Sequence, residues 1–365
     1  MKTVHLDVPH WFYNPRGSDW RMKMILSKEL DKFNLRVQRN WLYVAIYNLQ
    51  LLLAARLPLR LRWGFSVIMS RLRGWVLGML GVDYLIAQGS NPPTDQRFKL
   101  LWETYFLPPQ RGEGGRGNDF VRGGRDKWIR SMETYGSSAS FIAVRGAESV
   151  RLLKAMYPEF AHKVLDLRFV QPEFNIASTS EVEAKQKSDV VKILFVGREA
   201  RRKGLPRVVA ALKELRDAGI ENFELSVVSS FVDGDIQGLD ESWINCFREL
   251  SHEEVLEMFR RSHIFVMPSE YESYGLVYLE AMANGCAVVA RDQEPQCELM
   301  DYGNAGLLVN SYSTSSIASA LKSLIADQSL RLKIALNGVE YYKNRLSQER
   351  VRESWSGAIQ LLAGI

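Results

Sequence analysis

The sequence predicts an α/β protein of two lobes, each built on a parallel sheet, and three observations carry that expectation. The chain has 365 residues, 46% of them hydrophobic, which suits two ordinary cores and is too much for one. Short β-prone runs alternate with stretches of helical periodicity, the pattern of parallel strands joined by crossover helices. A polar segment without aromatics, residues 178–189, divides the chain as a tether between domains does. The expected division is 1–177, a tether at 178–189, a second lobe at 190–347, and a terminal helix at 348–365.

In the first lobe a β-prone run at 4–9 is followed by a Pro/Gly/Asn turn at 14–17 and a helical pattern from Asp19 to Lys32. Further strands are expected at 82–87, 141–144 and 164–169, with a helix reaching Tyr157. Residues 110–126 are too rich in glycine for a helix and lack the Lys-Ser/Thr ending of a phosphate loop, so they read as a surface loop. The second lobe has the clearer periodicity: strands at 191–196, 223–229, 263–267 and 286–290, helices at 204–218, 252–261 and 276–284. That is a doubly wound domain. The terminal helix places Val351, Trp355, Ile359 and Leu362 on about one face and is expected to pack back across both lobes.

The net charge of +5 hides an asymmetry. Residues 1–175 carry 26 basic and 15 acidic side chains, and the remainder 21 and 27, so the halves stand at +11 and −6. Residues 32–82 hold Lys32, seven arginines and no Asp or Glu, threaded with apolar and aromatic residues. The run at 41–57 is interrupted by Asn48, Gln50 and Arg56 and falls short of the roughly 20 apolar residues of a spanning helix. It suits a helix lying on an anionic membrane surface. A buried helix pair whose arginines face water fits the same pattern, and nucleic acid is a third reading, though no nucleic-acid partner is expected. Cys246, Cys286 and Cys297 follow no metal-ligand or disulfide spacing. With no secretory signal visible at the N-terminus, the expectation is a cytoplasmic protein, peripheral at the inner membrane face if the basic stretch binds there.

The strand KILFVG runs straight into GREARRKG, which puts Gly197, Arg198, Lys203 and Gly204 at the carboxyl end of a strand where a helix begins. Ligands of open α/β sheets bind at such ends, and a diphosphate needs cations beside unpaired backbone N–H groups. A solvated basic turn gives the same string. The second constellation, PSEYESYGLVYLEAMANG at 268–285, separates Glu272 from Glu280 by seven residues. Glu272 falls in a loop and Glu280 on the following helix, with the helix-start amides at Gly275, Leu276 and Val277 between them. Carboxylates accept well from sugar and ribose hydroxyls. Asp233-Gly234-Asp235 invites a metal reading, but acidic turns with Gly are common and no metal is expected.

Residues 190–310 resemble the C-terminal domain of the family-4 glycosyltransferases, the retaining group with a Glu-x7-Glu motif. The resemblance runs in order through VGREARRKGL, SHEEVLEMFRRSHIFVMPS, YESYGLVYLEAMANGCAVVA and CELMDYGNAGLLV. It implies the GT-B architecture of two Rossmann-like doubly wound domains facing each other across a cleft. It implies Arg198 and Lys203 on the donor diphosphate, Glu280 on the ribose, Glu272 on the transferred sugar, and the amides of Gly275, Leu276 and Val277 on phosphate or sugar. Diphosphate is neutralised by protein cations in that architecture, without a metal. The first lobe resembles the family more weakly, through PRGS, which would bring Gly17 to the donor phosphates, and through 141–164. The family's usual histidine near the strand end at 86–89 is missing; His10 and Glu103 are candidates for its sugar contact, a structural role weighing more for each. The approach to Glu298 is shortened, and His5, His162, His252 and His263 read as ordinary.

The reading is therefore a retaining transferase that moves sugar from a nucleoside diphosphate to a hydroxyl, with Glu272, Arg198 and Lys203 as catalytic candidates. Its nucleotide-sugar donor is a substrate, no cofactor is expected, and the acceptor class is a glycan or lipid-linked glycan. A catalytically silent scaffold and a phosphorylase or epimerase of the same fold are the alternatives.

Overall fold

The computed structural model describes residues 2–7, 30–37, 41–88, 91–104, 128–168, 175–229, 241–248, 250–272 and 274–365. Its chain divides into two compact units, Met1–Pro172 with Gln348–Ile365, and Glu173–Ser347. Gly17, His10 and the Asp233-Gly234-Asp235 turn lie outside the described residues, as does the glycine-rich 110–126.

Each unit carries a six-stranded sheet with every pairing parallel. In the first, strands β1 (Thr3–Asp7), β2 (Arg36–Val37), β3 (Tyr84–Gln88), β4 (Lys99–Glu103), β5 (Phe141–Val144) and β6 (Val164–Asp166) are ordered β2-β1-β3-β4-β5-β6. Helices α1 (Trp41–Arg56) and α2 (Leu59–Met79) fall between β2 and β3, and α3 (Ala147–Met156) between β5 and β6. No helix among the described residues is long and apolar enough to cross a membrane.

The second unit opens with α4 (Thr179–Gln186) and continues through β7 (Val191–Val196), α5 (Leu205–Asp217), β8 (Phe223–Val228), β9 (Ile244–Phe247), α6 (His252–Arg261), β10 (Ile264–Met267), α7 (Leu276–Ala283) and β11 (Ala287–Arg291). The short α8 (Gln296–Leu299), β12 (Leu307–Val309), α9 (Thr314–Ala326) and α10 (Gln328–Tyr341) complete it. The strand order β12-β11-β10-β7-β8-β9 reverses direction between β7 and β10, the topological switch point of a Rossmann-like sheet. β7 and β10 are all buried but for alternate or terminal positions, as a sheet covered on both faces requires.

Two expected boundaries are corrected. Residues 178–189 are not a tether. Ser178 and Glu181 form a capping box, the Ser178 side chain accepting from the Glu181 N–H and the Glu181 carboxylate from the Ser178 N–H, and this starts α4. α4 belongs to the second unit, with Val182 fully buried, the Lys185 ammonium donating to the Asn284 carbonyl at 2.6 Å, and Arg331 Nε donating to the Gln186 side-chain oxygen at 2.7 Å. The terminal helix α11 (Gln348–Ala363) belongs to the first unit. Val351, Trp355, Ile359 and Leu362 are buried in one core with Val4, Leu6, Ile86 and Leu101, so the face read from the sequence exists and closes the first unit's core. The Trp355 indole N–H also donates to the Arg168 carbonyl at 3.1 Å.

Candidate functional site

The switch point brings two loops together. One is the turn 197–204 after β7, the other the loop 268–275 after β10, each leading into a helix. Gly204 has φ +90 and caps α5, and a Cβ there would stand 2.8 Å from the Pro268 carbonyl oxygen. Only glycine satisfies both the left-handed backbone and that close approach. The Glu270 N–H donates to the Arg202 carbonyl at 2.9 Å, tying the loops by backbone as well.

Across this junction the Lys203 ammonium forms an ion pair with the Glu272 carboxylate. Both side chains are mostly buried, with 14% and 8% of their surface exposed. Burial pushes the Lys203 ammonium below its ordinary range, and the Glu272 carboxylate opposes that shift. The two side chains that the resemblance assigns to diphosphate and to sugar thus occupy one place. Arg198 is exposed on the turn. Gly197 closes β7, its N–H donating to the Val228 carbonyl at 2.9 Å.

The loop carrying Glu272 is held by arginines that sequence reasoning did not single out. Arg202 donates to the Tyr271 carbonyl, Arg291 to the Glu270 carbonyl, and Arg207 pairs with the Glu270 carboxylate. Arg202 also binds Glu199 through two hydrogen bonds of 2.7 and 2.9 Å, which holds the Glu199 carboxyl below its usual range. The sequence signal was available in the basic run 201–203, but their partners lie about seventy residues on.

α7 begins after Gly275, so the amides of Leu276 and Val277 are at its amino end, where the helix dipole favours an anion. The buried Tyr278 hydroxyl donates to the Met267 carbonyl at 2.6 Å and fixes α7 against the end of β10. Glu280 is on α7 with 14% of its side chain exposed and its Oε1 3.9 Å from Nδ1 of His252, a histidine read from sequence as ordinary. Glu298 is buried in α8, its backbone N–H donating to the Glu294 carboxylate at 3.3 Å. Glu103 is not in this unit; it is fully buried at the end of β4, where one oxygen accepts from Arg145 Nη2 at 2.7 Å and Nε at 3.1 Å.

Cys286 and Cys297 are buried, and burial raises both thiols, that of Cys297 to about 12, while Cys246 is exposed on β9. No group of three or more metal-ligating side chains occurs among the described residues. The arrangement offers a buried cation, carboxylates and helix-start amides around the carboxyl ends of two adjoining strands, a set suited to an anionic, hydroxyl-rich ligand.

Residues 178–340 match the family model of the glycosyl transferases group 1. That match lies within the second unit and includes both site loops. The alpha-D-kanosaminyltransferase of Streptomyces kanamyceticus is 27% identical over 252 residues, 66% of this chain and 62% of that protein. The chain spans from about a third to three fifths of the length of such curated relatives. Two solved structures share the fold along nearly the whole chain. WaaG, a glycosyltransferase involved in lipopolysaccharide biosynthesis, superposes with a TM-score of 0.63 at 14% identity, over 98% of this chain and 99% of that one. Anabaena HepE, in complex with UDP-glucose, gives 0.63 at 15% identity over 99% of each chain. The two parallel-sheet units are those of the GT-B fold.

Proposed function

We propose that the protein is a retaining glycosyltransferase of the Glu-x7-Glu type, which moves a sugar from a nucleoside diphosphate to a hydroxyl of a glycan carried on a lipid. The observation that carries the reading is the Lys203–Glu272 pair at the switch point, beside the amino end of α7. The matched family, the fold shared with a protein solved with UDP-glucose, and one shared with a lipopolysaccharide glycosyltransferase support donor and acceptor class in turn.

In this reading a donor diphosphate competes with Glu272 for the Lys203 ammonium, and Arg198 and the Leu276 and Val277 amides share its charge. The released Glu272 carboxylate turns to the hydroxyls of the sugar and orients it. Glu280 accepts from the ribose hydroxyls. The bond from the anomeric carbon to the diphosphate oxygen breaks, the acceptor oxygen bonds on the same face, and its proton passes to the departing phosphate. Lys203 and Arg198 stabilise the charge that develops there. The residues that do this are protein cations and amides, and the mechanism is proposed without a metal.

The test is binding and slow hydrolysis across UDP-, GDP-, ADP- and dTDP-sugars by the native protein and Glu280→Ala. Selective binding that the variant loses supports the donor site. Failure to bind any donor sinks the reading and leaves a silent scaffold of the same fold.

A further inference from the structure

Helices α1 and α2 leave an apolar surface that the first unit does not use. Nine of the sixteen large apolar side chains exposed among the described residues fall between Leu49 and Leu80, so the exposure is concentrated on this helix pair rather than scattered. On α2 the exposed Leu61, Ile68, Leu72, Trp75 and Met79, from 40% to 66% accessible, lie within about 60° of arc at the helix period of 100° per residue. They make one straight stripe along the helix.

The opposite face of α2 is what anchors it. Met69, Val76 and Leu77 are buried, and Ser70 Oγ donates to the Pro92 carbonyl at 2.5 Å. Arg73, 1% exposed, donates to the Tyr43 hydroxyl of α1 at 2.8 Å and to the Asn91 carbonyl at 2.7 Å. The outer stripe is therefore not a frayed core face. Leu49, Leu52 and Leu53 give α1 a shorter exposed patch that ends at the exposed Arg56.

Charge decides among occupants. Residues 32–82 carry no acidic side chain, and of their eight basic ones Arg56, Arg62 and Arg71 are exposed on these two helices while Arg73 is buried. A second copy of this chain would set one such surface against another, and like charges repel. Nucleic acid would leave five large apolar side chains facing phosphate. An anionic lipid surface satisfies both features: the stripe enters the acyl boundary while arginines meet headgroups. The exposed Arg62, whose Nε donates to the Leu57 carbonyl at 2.9 Å, and the exposed Arg71 stand roughly 110° and 70° from the middle of the stripe on its two sides, where side chains of this length carry a guanidinium to the headgroup level.

We propose that the outer face of α2, extended by α1, docks the protein on an anionic membrane surface, with Ile68 and Trp75 in the acyl boundary and Arg62 and Arg71 in the headgroups. This goes beyond the transfer reaction and stands whether or not the donor reading does.

The full chain is floated with phosphatidylcholine vesicles with and without phosphatidylglycerol, alongside the double variant Ile68→Glu, Trp75→Glu, whose thermal melt and UDP binding are measured on the same samples. The native protein is expected to float with the phosphatidylglycerol vesicles only and less in raised salt. The double variant is expected to lose about tenfold or more of that partitioning with an unchanged melt. Three results overturn the proposal: native protein left in the dense fraction with both vesicles, a variant that floats like the native protein, or a dimer that the double substitution dissociates while neither form floats. Flotation without UDP binding supports the docking surface and counts against the donor reading alone.

Discussion

Lys203 answers two demands, a buried position against Glu272 and a positive charge for a diphosphate. Burial works against the charge and holds its pKa below the ordinary value of 10.5, Glu272 only partly offsetting it. The sign follows: the ammonium is present below the lowered pKa and lost as pH rises through it. Affinity for UDP is expected to fall at a lower pH than an exposed lysine would dictate, and Lys203→Arg, which keeps its charge, to flatten the profile. Titration of UDP binding from roughly pH 7 to 10 reads this; equal profiles for both proteins would remove Lys203 from the diphosphate. Glu280→Ala is expected to weaken donor binding about tenfold to a hundredfold with little effect on turnover, whereas Lys203→Ala lowers kcat as well. Both residues stand out in the sequence because their flanking strings are local. His252, 3.9 Å from Glu280, was not: twenty-eight residues separate them and only the packing of α6 beside α7 brings the ring there.

At the scale of elements, the site depends on turns that hold two loops in contact. Gly204→Ala would place a Cβ 2.8 Å from the Pro268 carbonyl oxygen at φ +90, whereas Gly219, at φ +82, has open space around its Cβ. Gly219→Ala is expected to cost about 1 kcal/mol from the backbone alone and Gly204→Ala about 2–3 kcal/mol, with a fall in kcat because the Lys203 and Glu272 loops move apart. Thermal melts of the two variants check it, and equal costs would deny the close approach a role. Strands β5 and β7 and helix α6 stand at their expected bounds, because their apolar runs or capping signals are unambiguous. α4 carries the same Ser-x-x-Glu box as α6, yet Val182 and Gln186 are its buried positions, so its polar composition masked a helix. β4, with Leu100, Leu101 and Trp102 buried in a row, is too short for periodicity to separate it from a buried turn of helix.

For the whole molecule, the chain leaves the first unit at Pro172 and returns to it at Gln348, so the second unit is an insertion between a body and its last helix. Its stability has its own pH dependence. His263 Nδ1 accepts from the Lys192 N–H at 2.7 Å, so Nε2 carries the proton and donates to the Lys185 carbonyl at 2.8 Å. Burial lowers this histidine to about 4. The unfolded chain takes up the proton near 6.5 and the folded one does not, so stability is full above that pH and declines, by roughly 2–3 kcal/mol, as pH falls toward 4. His263→Asn is expected to shrink that slope in denaturant melts. The insertion has a further consequence for fragments. Residues 173–347 hold a complete six-stranded sheet and its helices, and are expected to fold alone. Residues 1–172 lack Trp355, Ile359 and Leu362, which are 0%, 0% and 2% exposed in the first unit's core. Each is worth about 1.5–3 kcal/mol of burial, together comparable to the 5–15 kcal/mol that holds an ordinary domain. The fragment 1–172 should therefore show no cooperative melt until a 348–365 peptide is added. A cooperative melt without that peptide would mean that α11 covers the first unit's core without being needed to form it.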